Sequence, residues 1–204
     1  MFHYKLIFLL SICYSTTAYC QVSDSIVVNS CKKKKINIQQ IEHHQIYPGL
    51  YSYVVNDTLY EISKGVSYYK EKIREKEGGN FYHINIYDLD SYNIIAEFDY
   101  FFDSKIGISL FYDKSGKVIR EENNDIEYKF SINDLIKKLK SEFNIDTSVY
   151  NEKLSITKSV GEKDNKFKYF IRLAFPNDIV RFRNIIIDGK TGKTLEDKIL
   201  YSLN

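Results

Sequence analysis

The chain has 204 residues, with 29 Lys and Arg against 27 Asp and Glu, for a formal net charge of +2. That near balance excludes the global basic footprint of a nucleic-acid binder and gives no general attraction to an anionic membrane. Three Cys in a chain of this length exclude a disulfide-stapled miniprotein, and the 18 Tyr, 13 Phe and absent Trp track an A/T-rich codon bias as much as any binding role.

The first 20 residues, "MFHYKLIFLLSICYSTTAYC", have the layout of a secretory signal peptide. Lys5 supplies the positive start, residues 6–13 an apolar stretch, and Ala18 and Cys20 the small side chains that a signal peptidase reads. The apolar stretch is too short to span a bilayer, which takes about 20 helical residues. Cleavage before Gln21 is the expected outcome and cleavage after Ala18 the alternative. Cys20 offers a second reading, a lipid anchor, although Tyr19 stands where a lipoprotein signal has a small residue. The expected localisation is therefore secreted or periplasmic, with a membrane involved only through a lipidated Cys20. Cleavage leaves Cys31 as a lone thiol, so the exported chain must be held together by its core.

Residues 21–45 read as a flexible basic tail. They have no sustained hydrophobic period and contain the lysine block 32–35, which could touch an anionic surface. Residues 46–130 form a first half. "GLYSYVV" and "TLYEIS" flank Asn56-Asp57 as a hairpin. The charged run at 64–76 predicts a helix stopped by Gly78-Gly79. Four strand-like runs follow, separated by turn residues.

Residues 131–204 form a second half. Ile132, Leu135, Ile136, Leu139 and Phe143 recur at three- and four-residue spacing, which predicts a helix over 132–143 with Ser131 as N-cap and Asp134 favouring its start. Leu135, Ile136 and Leu139 should pack on a sheet that contains Tyr169, Ile171 and Leu173, from a strand that alternates with Lys168 and Arg172. Each half reads as a helix followed by strands, and aligning Gly116 of "LFYDKSGKVI" with Gly192 of "IIIDGKTGKTL" puts Lys117 on Lys193 and brings Asp113 near Asp188. The expected fold class is α+β: antiparallel sheet with two principal helices, in two similar helix-plus-strands halves.

"GKTGKT" invites comparison with a phosphate loop. Such a loop needs four residues between its glycines and a helix to follow; here Lys190 and Thr191 alone separate Gly189 from Gly192, and only twelve residues remain. Asp188 and Gly192 instead suit a tight turn between strands, so no nucleotide is expected. On the same residues, the second half resembles a PepSY-type domain: a helix, then "YFIRLAF" and "IIIDGKTGKTL", an apolar strand with Asp, a turn and Gly-Lys before a last short strand. The resemblance covers about residues 131–200. It implies a small exported α+β module that binds or inhibits a protease, and it carries no catalytic residues over.

Other chemistries are weakly supported. His43 and His44 lack the spacing of a zinc pair, and His83 alternates in a strand where a cross-strand polar contact is the usual fate. Residues 88–99 begin like a calcium loop, but Tyr92 and Asn93 occupy positions where a ligand and a Gly are required, which favours a hairpin. No Gly-x-Ser-x-Gly elbow is present, and Cys31 beside the lysines suggests reactivity without a catalytic partner. The sequence thus points to no catalytic, cofactor or metal residues and to an exported non-catalytic binding protein with an unidentified protein partner. The rival reading is a small hydrolase whose site assembles only in the fold.

Overall fold

The computed structural model describes residues 27–30, 33–148, 153–162, 164–175 and 178–201. The expected signal segment, Cys20 and Cys31 lie outside them.

The chain is mostly strand. A short hairpin, β1 (Val27–Ser30) and β2 (Lys33–Ile36), leads into the one-turn helix α1 (Ile38–Ile41) and a 3-10 turn over Glu42–His44. Then come β3 (Gln45–Tyr47), β4 (Leu50–Val55), β5 (Thr58–Lys64), β6 (Tyr68–Glu75), β7 (Phe81–Asp88), β8 (Ile94–Phe101), β9 (Ser104–Tyr112) and β10 (Val118–Asn123). These pair in chain order into one antiparallel eight-stranded meander. The second half is α2 (Ile132–Phe143) followed by β11 (Leu154–Val160), β12 (Phe167–Phe175), β13 (Asp178–Asp188) and β14 (Thr194–Tyr201), a four-stranded meander also in chain order.

This corrects the α+β expectation with two principal helices and two similar halves. The run at 64–76 is not a helix; it is the end of β5, a turn and β6. Its Lys, Glu and Arg are good helix formers, but the stretch also alternates: Tyr69 and Glu71 are buried, whereas Lys70, Lys72 and Arg74 lie on the other face. Pairing with β5 on one side and β7 on the other supplies backbone hydrogen bonds from both flanks, so tertiary context overrides propensity. The first half therefore has no counterpart to α2. What the halves share is an Asp-to-Gly turn, one residue longer in the second half. Gly116 N–H donates to Asp113 O at 3.0 Å and Gly192 N–H to Asp188 O at 2.9 Å, and both glycines have positive φ, 85° and 71°.

Residues 33–45, expected to be part of a tail, are also folded. Ile36 and Ile41 are buried among Tyr51, Tyr53, Tyr60, Ile62, Tyr69, Tyr87 and Ile94, where β2 and α1 cover one end of the large sheet's inner face. Their apolar residues are too few for a readable period, yet they close this core.

Helix α2 spans the residues its stripe predicts. Ser131 Oγ accepts from Asp134 N at 3.2 Å, and Asn144 ends the helix in a left-handed conformation at φ 56°. Leu135 and Leu139 are fully buried against Ile156, Tyr169, Ile171, Ile185 and Ile187, while Ile136 is half-buried. Phe101 and Phe102, at the end of β8, belong to this same core and join the two sheets. Lys158 on β11 reinforces the joint: its Nζ donates to Lys105 O at 2.9 Å, Asn124 O at 2.7 Å and Asp125 Oδ1 at 2.5 Å.

Candidate functional site

The inner face of the eight-stranded sheet carries an unusual interior. Register sets Glu71 opposite Asn85 and Asn85 opposite Glu97, so three polar side chains form a row across β6, β7 and β8. All three are buried. Glu71 Oε2 accepts from Asn85 Nδ2 at 2.8 Å and from Tyr87 OH at 2.7 Å. Glu97 accepts from Lys34 Nζ at 2.5 Å and from Tyr112 OH at 2.7 Å, so its charge has a cation beside it. Glu71 has no such direct partner. Burial pushes its carboxyl above the ordinary carboxylate range, against the opposing pull of its hydrogen bonds to Asn85 and Tyr87 and of the charges of His83 and Lys34. Glu71 Oε1 and Tyr53 OH are both buried without a partner among the described residues.

The row continues to the surface through His83. Its Nε2 lies 2.8 Å from Asn85 Oδ1, and its Nδ1 lies 2.8 Å from Asp99 Oδ1, its cross-strand neighbour on β8. The chain Asp99–His83–Asn85–Glu71–Tyr87 therefore runs from an exposed carboxylate to a sealed carboxyl. The Asn85 amide bridges the two ends: its Oδ1 faces the His83 ring and its Nδ2 donates to Glu71. Where His83 and Asp99 reach the surface they line a hollow of about 350 Å³ with Ile73, Phe81, Ile106 and Gly107.

A second feature lies on the small sheet. One helix is about 10–12 Å across, whereas four strands extend over roughly 15–19 Å. Helix α2 covers the centre, and Leu154 and Ile156 of β11 pack in the core that contains Phe101 and Phe102. Strand β14 is left over. It pairs only with β13 among the described strands, and Leu195, Ile199 and Tyr201, which share one face, are exposed.

The residues weighed from the sequence are dispersed. His43 and His44 sit in the 3-10 turn with ring centroids 4.2 Å apart, and His44 lies against Tyr53. His83 makes the cross-strand polar contact its strand position suggests. Residues 88–99 form the β7–β8 turn and the start of β8; Asp88 Oδ1 accepts from Ser91 N at 2.8 Å and Ser91 Oγ at 2.6 Å. Among the described residues no group of three or more His, Cys, Asp or Glu is arranged to hold a metal ion. In "GKTGKT", Asp188 Oδ1 accepts from Lys190 N and Thr191 N, and Gly192 packs so closely under Phe130 that an added Cβ would lie 2.4 Å from the ring. Strand β14 follows directly, so this is a hairpin turn closed by its own side chains.

Sequence reasoning missed Glu71, Asn85 and Glu97. A signal existed: Tyr69, Glu71 and Ile73 alternate, and reading them as a strand would have put a carboxyl on the buried face. No family model, curated protein or solved structure matches this chain.

Proposed function

We propose that this is an exported, non-catalytic binding protein of PepSY-like type, which takes an extended segment of a secreted protein partner along β14. The observation that carries the reading is the uncovered edge: backbone groups on its outer side are free of any described strand, and Leu195, Ile199 and Tyr201 stand beside them without cover. Strand addition would pair those groups and bury the three side chains together, a recognised mode of peptide binding by sheets. The signal-like first 20 residues and the PepSY-like succession over 131–200 support the same reading. The experiment is affinity capture of partners from the host's envelope and secreted fraction. A stoichiometric partner that is retained by the native chain and lost from Leu195→Glu/Ile199→Glu is the expected result. Capture unaffected by that pair of substitutions would sink the β14 assignment.

One observation favours the rival, a hydrolase: His83 gathers Asp99 directly and Glu71 through Asn85 beside a hollow. Against it, both imidazole nitrogens are already engaged, so neither is free to take a proton from a nucleophile. Turnover of a peptide, ester or glycoside substrate that vanishes in His83→Ala would replace the binding reading with this one.

A further inference from the structure

One segment of the molecule lies across the large sheet rather than within it. Residues 33–44, which are β2, α1 and the 3-10 turn, form a strap over the sheet's inner face. The first end is tied to β8 and the turn before it: Lys34 Nζ donates to Glu97, Lys35 bridges to Asn93, and Ile36 N donates to Tyr92 O at 3.1 Å. The second end rests on β4, where the His44 ring lies 5.1 Å from that of Tyr53. Strands β7, β6 and β5 stand between β8 and β4, so the strap crosses all three. Ile36 and Ile41 are buried beneath it.

Glu71 stands on the middle strand of that crossing and is fully buried. Asn85 and Tyr87 donate to its Oε2, while Oε1 has no partner among the described residues. The charged and titratable groups around it are engaged elsewhere. On β7, His83 contacts Asp99 and Asn85; on β8, Glu97 is held by Lys34 of the strap and by Tyr112 of β9. Tyr53 of β4 and Tyr60 of β5 stack on each other, and Glu42, His43 and His44 lie at the far end of the strap. On β6 itself Tyr69 shares the buried face, and Lys70 and Lys72 belong to the other one. Burial keeps the Glu71 carboxyl neutral beyond the ordinary carboxylate range, outweighing its hydrogen bonds and the charges of His83 and Lys34.

A charge on Glu71 needs water or a cation beside it. Strand β6 cannot move to meet water, because β5 and β7 pair along both its sides. The strap can. Among the described strands β2 pairs along its length with β1, outside the large sheet, and its Lys34–Glu97 tie is half open to solvent, with 44% of the Lys34 side chain exposed. Such a partly solvated ion pair is a weak latch.

From this arrangement we infer that residues 33–44 are a pH-gated strap, closed over the tyrosine-lined face while Glu71 is neutral and released, with the rest of the fold intact, once Glu71 ionises. Under the closed strap the carboxyl titrates above its value in the open, hydrated state. Closure is therefore fully favoured below the open-state value and is lost as pH rises through the closed-state value. Between the two, the open-to-closed ratio rises by up to about tenfold per pH unit. Release uncovers Tyr51, Tyr53, Tyr60, Tyr69 and Tyr87. The strap lies on the other sheet from β14 and does not rest on the partner reading.

Amide hydrogen exchange of the chain from Gln21 onward tests the inference, read by NMR from about pH 5 to about pH 9 and corrected for intrinsic exchange. That range stays below the ordinary tyrosine pKa. The Ile36 N–H, which donates to Tyr92 O, reports the strap; the Ile145 N–H, which donates to Leu139 O, reports the helix core. Protection at Ile36 should fall by up to about tenfold per pH unit through the window while protection at Ile145 holds. Glu71→Gln keeps an acceptor for Asn85 and Tyr87 and removes the charge, so its Ile36 profile should be flat. Ile36 protection that ignores pH in the native chain, loss at Ile36 and Ile145 together, or a slope that survives Glu71→Gln would each overturn the inference.

Discussion

The molecule has two interiors built by different rules. Under α2 the core is aliphatic and aromatic: Leu135, Leu139, Ile156, Ile171, Ile185 and Ile187 are fully buried, with Tyr169 sending its hydroxyl out to Phe130 O at 2.6 Å. Under β2 and α1 the core mixes five tyrosines with four isoleucines, and a row of Glu, Asn and Glu crosses the sheet beside them. The first interior gains its stability mainly from apolar area and should tolerate volume-conserving apolar swaps at modest cost. The second must provide partners for hydroxyls and carboxyls, and each one left unpartnered costs about 1–3 kcal/mol. In exchange it resists slippage. Moving β6 by one residue would turn Glu71 outward and bring Lys70 or Lys72 into the core, so the polar row gives the correct register a marker that uniform hydrophobicity would lack.

The contrast can be broken most forcefully at the helix. Leu135→Ala or Leu139→Ala removes methyl groups from a site with no polar atom to recruit, and each should destabilise by about 2–5 kcal/mol in denaturant melts. Near-zero change at both would mean that the aliphatic interior is not a packed core. A somewhat smaller loss is expected where the two sheets are tied together. Lys158→Met keeps the apolar stem but abandons Asp125 and two carbonyls, which should cost about 2–3 kcal/mol because Asp125 is partly open to water. If the two sheets melted independently in that variant, Lys158 would be their principal link.

The subtlest test sharpens the tyrosine interior. Glu71 titrates above its unfolded value, chiefly because burial disfavours its charge. A raised folded pKa gives stability that is fully present below the unfolded carboxylate pKa and is lost as pH rises through the folded value. Glu71→Gln keeps the acceptor for Asn85 and Tyr87 and removes the titration. The variant should therefore match the native chain in acid and exceed it at alkaline pH. Parallel pH profiles for the two proteins would show that Glu71 carries no such linkage, and that the Asn85 amide holds a stable carboxylate.

Helix α2, its Ser131 cap and the Asp188–Gly192 turn were legible in the sequence because the forces that make them are local. A stripe at three- and four-residue spacing has only one conformation that gathers it on one side, and an Asp followed by a Gly with positive φ closes a turn whatever surrounds it. Strand β6 was not legible in the same way, because Lys70 to Arg74 favour a helix when judged by their own chain and a strand only when β5 and β7 stand on either side. The meeting of Glu71, Asn85, His83 and Asp99 belongs wholly to tertiary structure. Lateral neighbours in a sheet are set by register, and register is decided by which faces are buried across several strands at once, information that no short window of sequence contains.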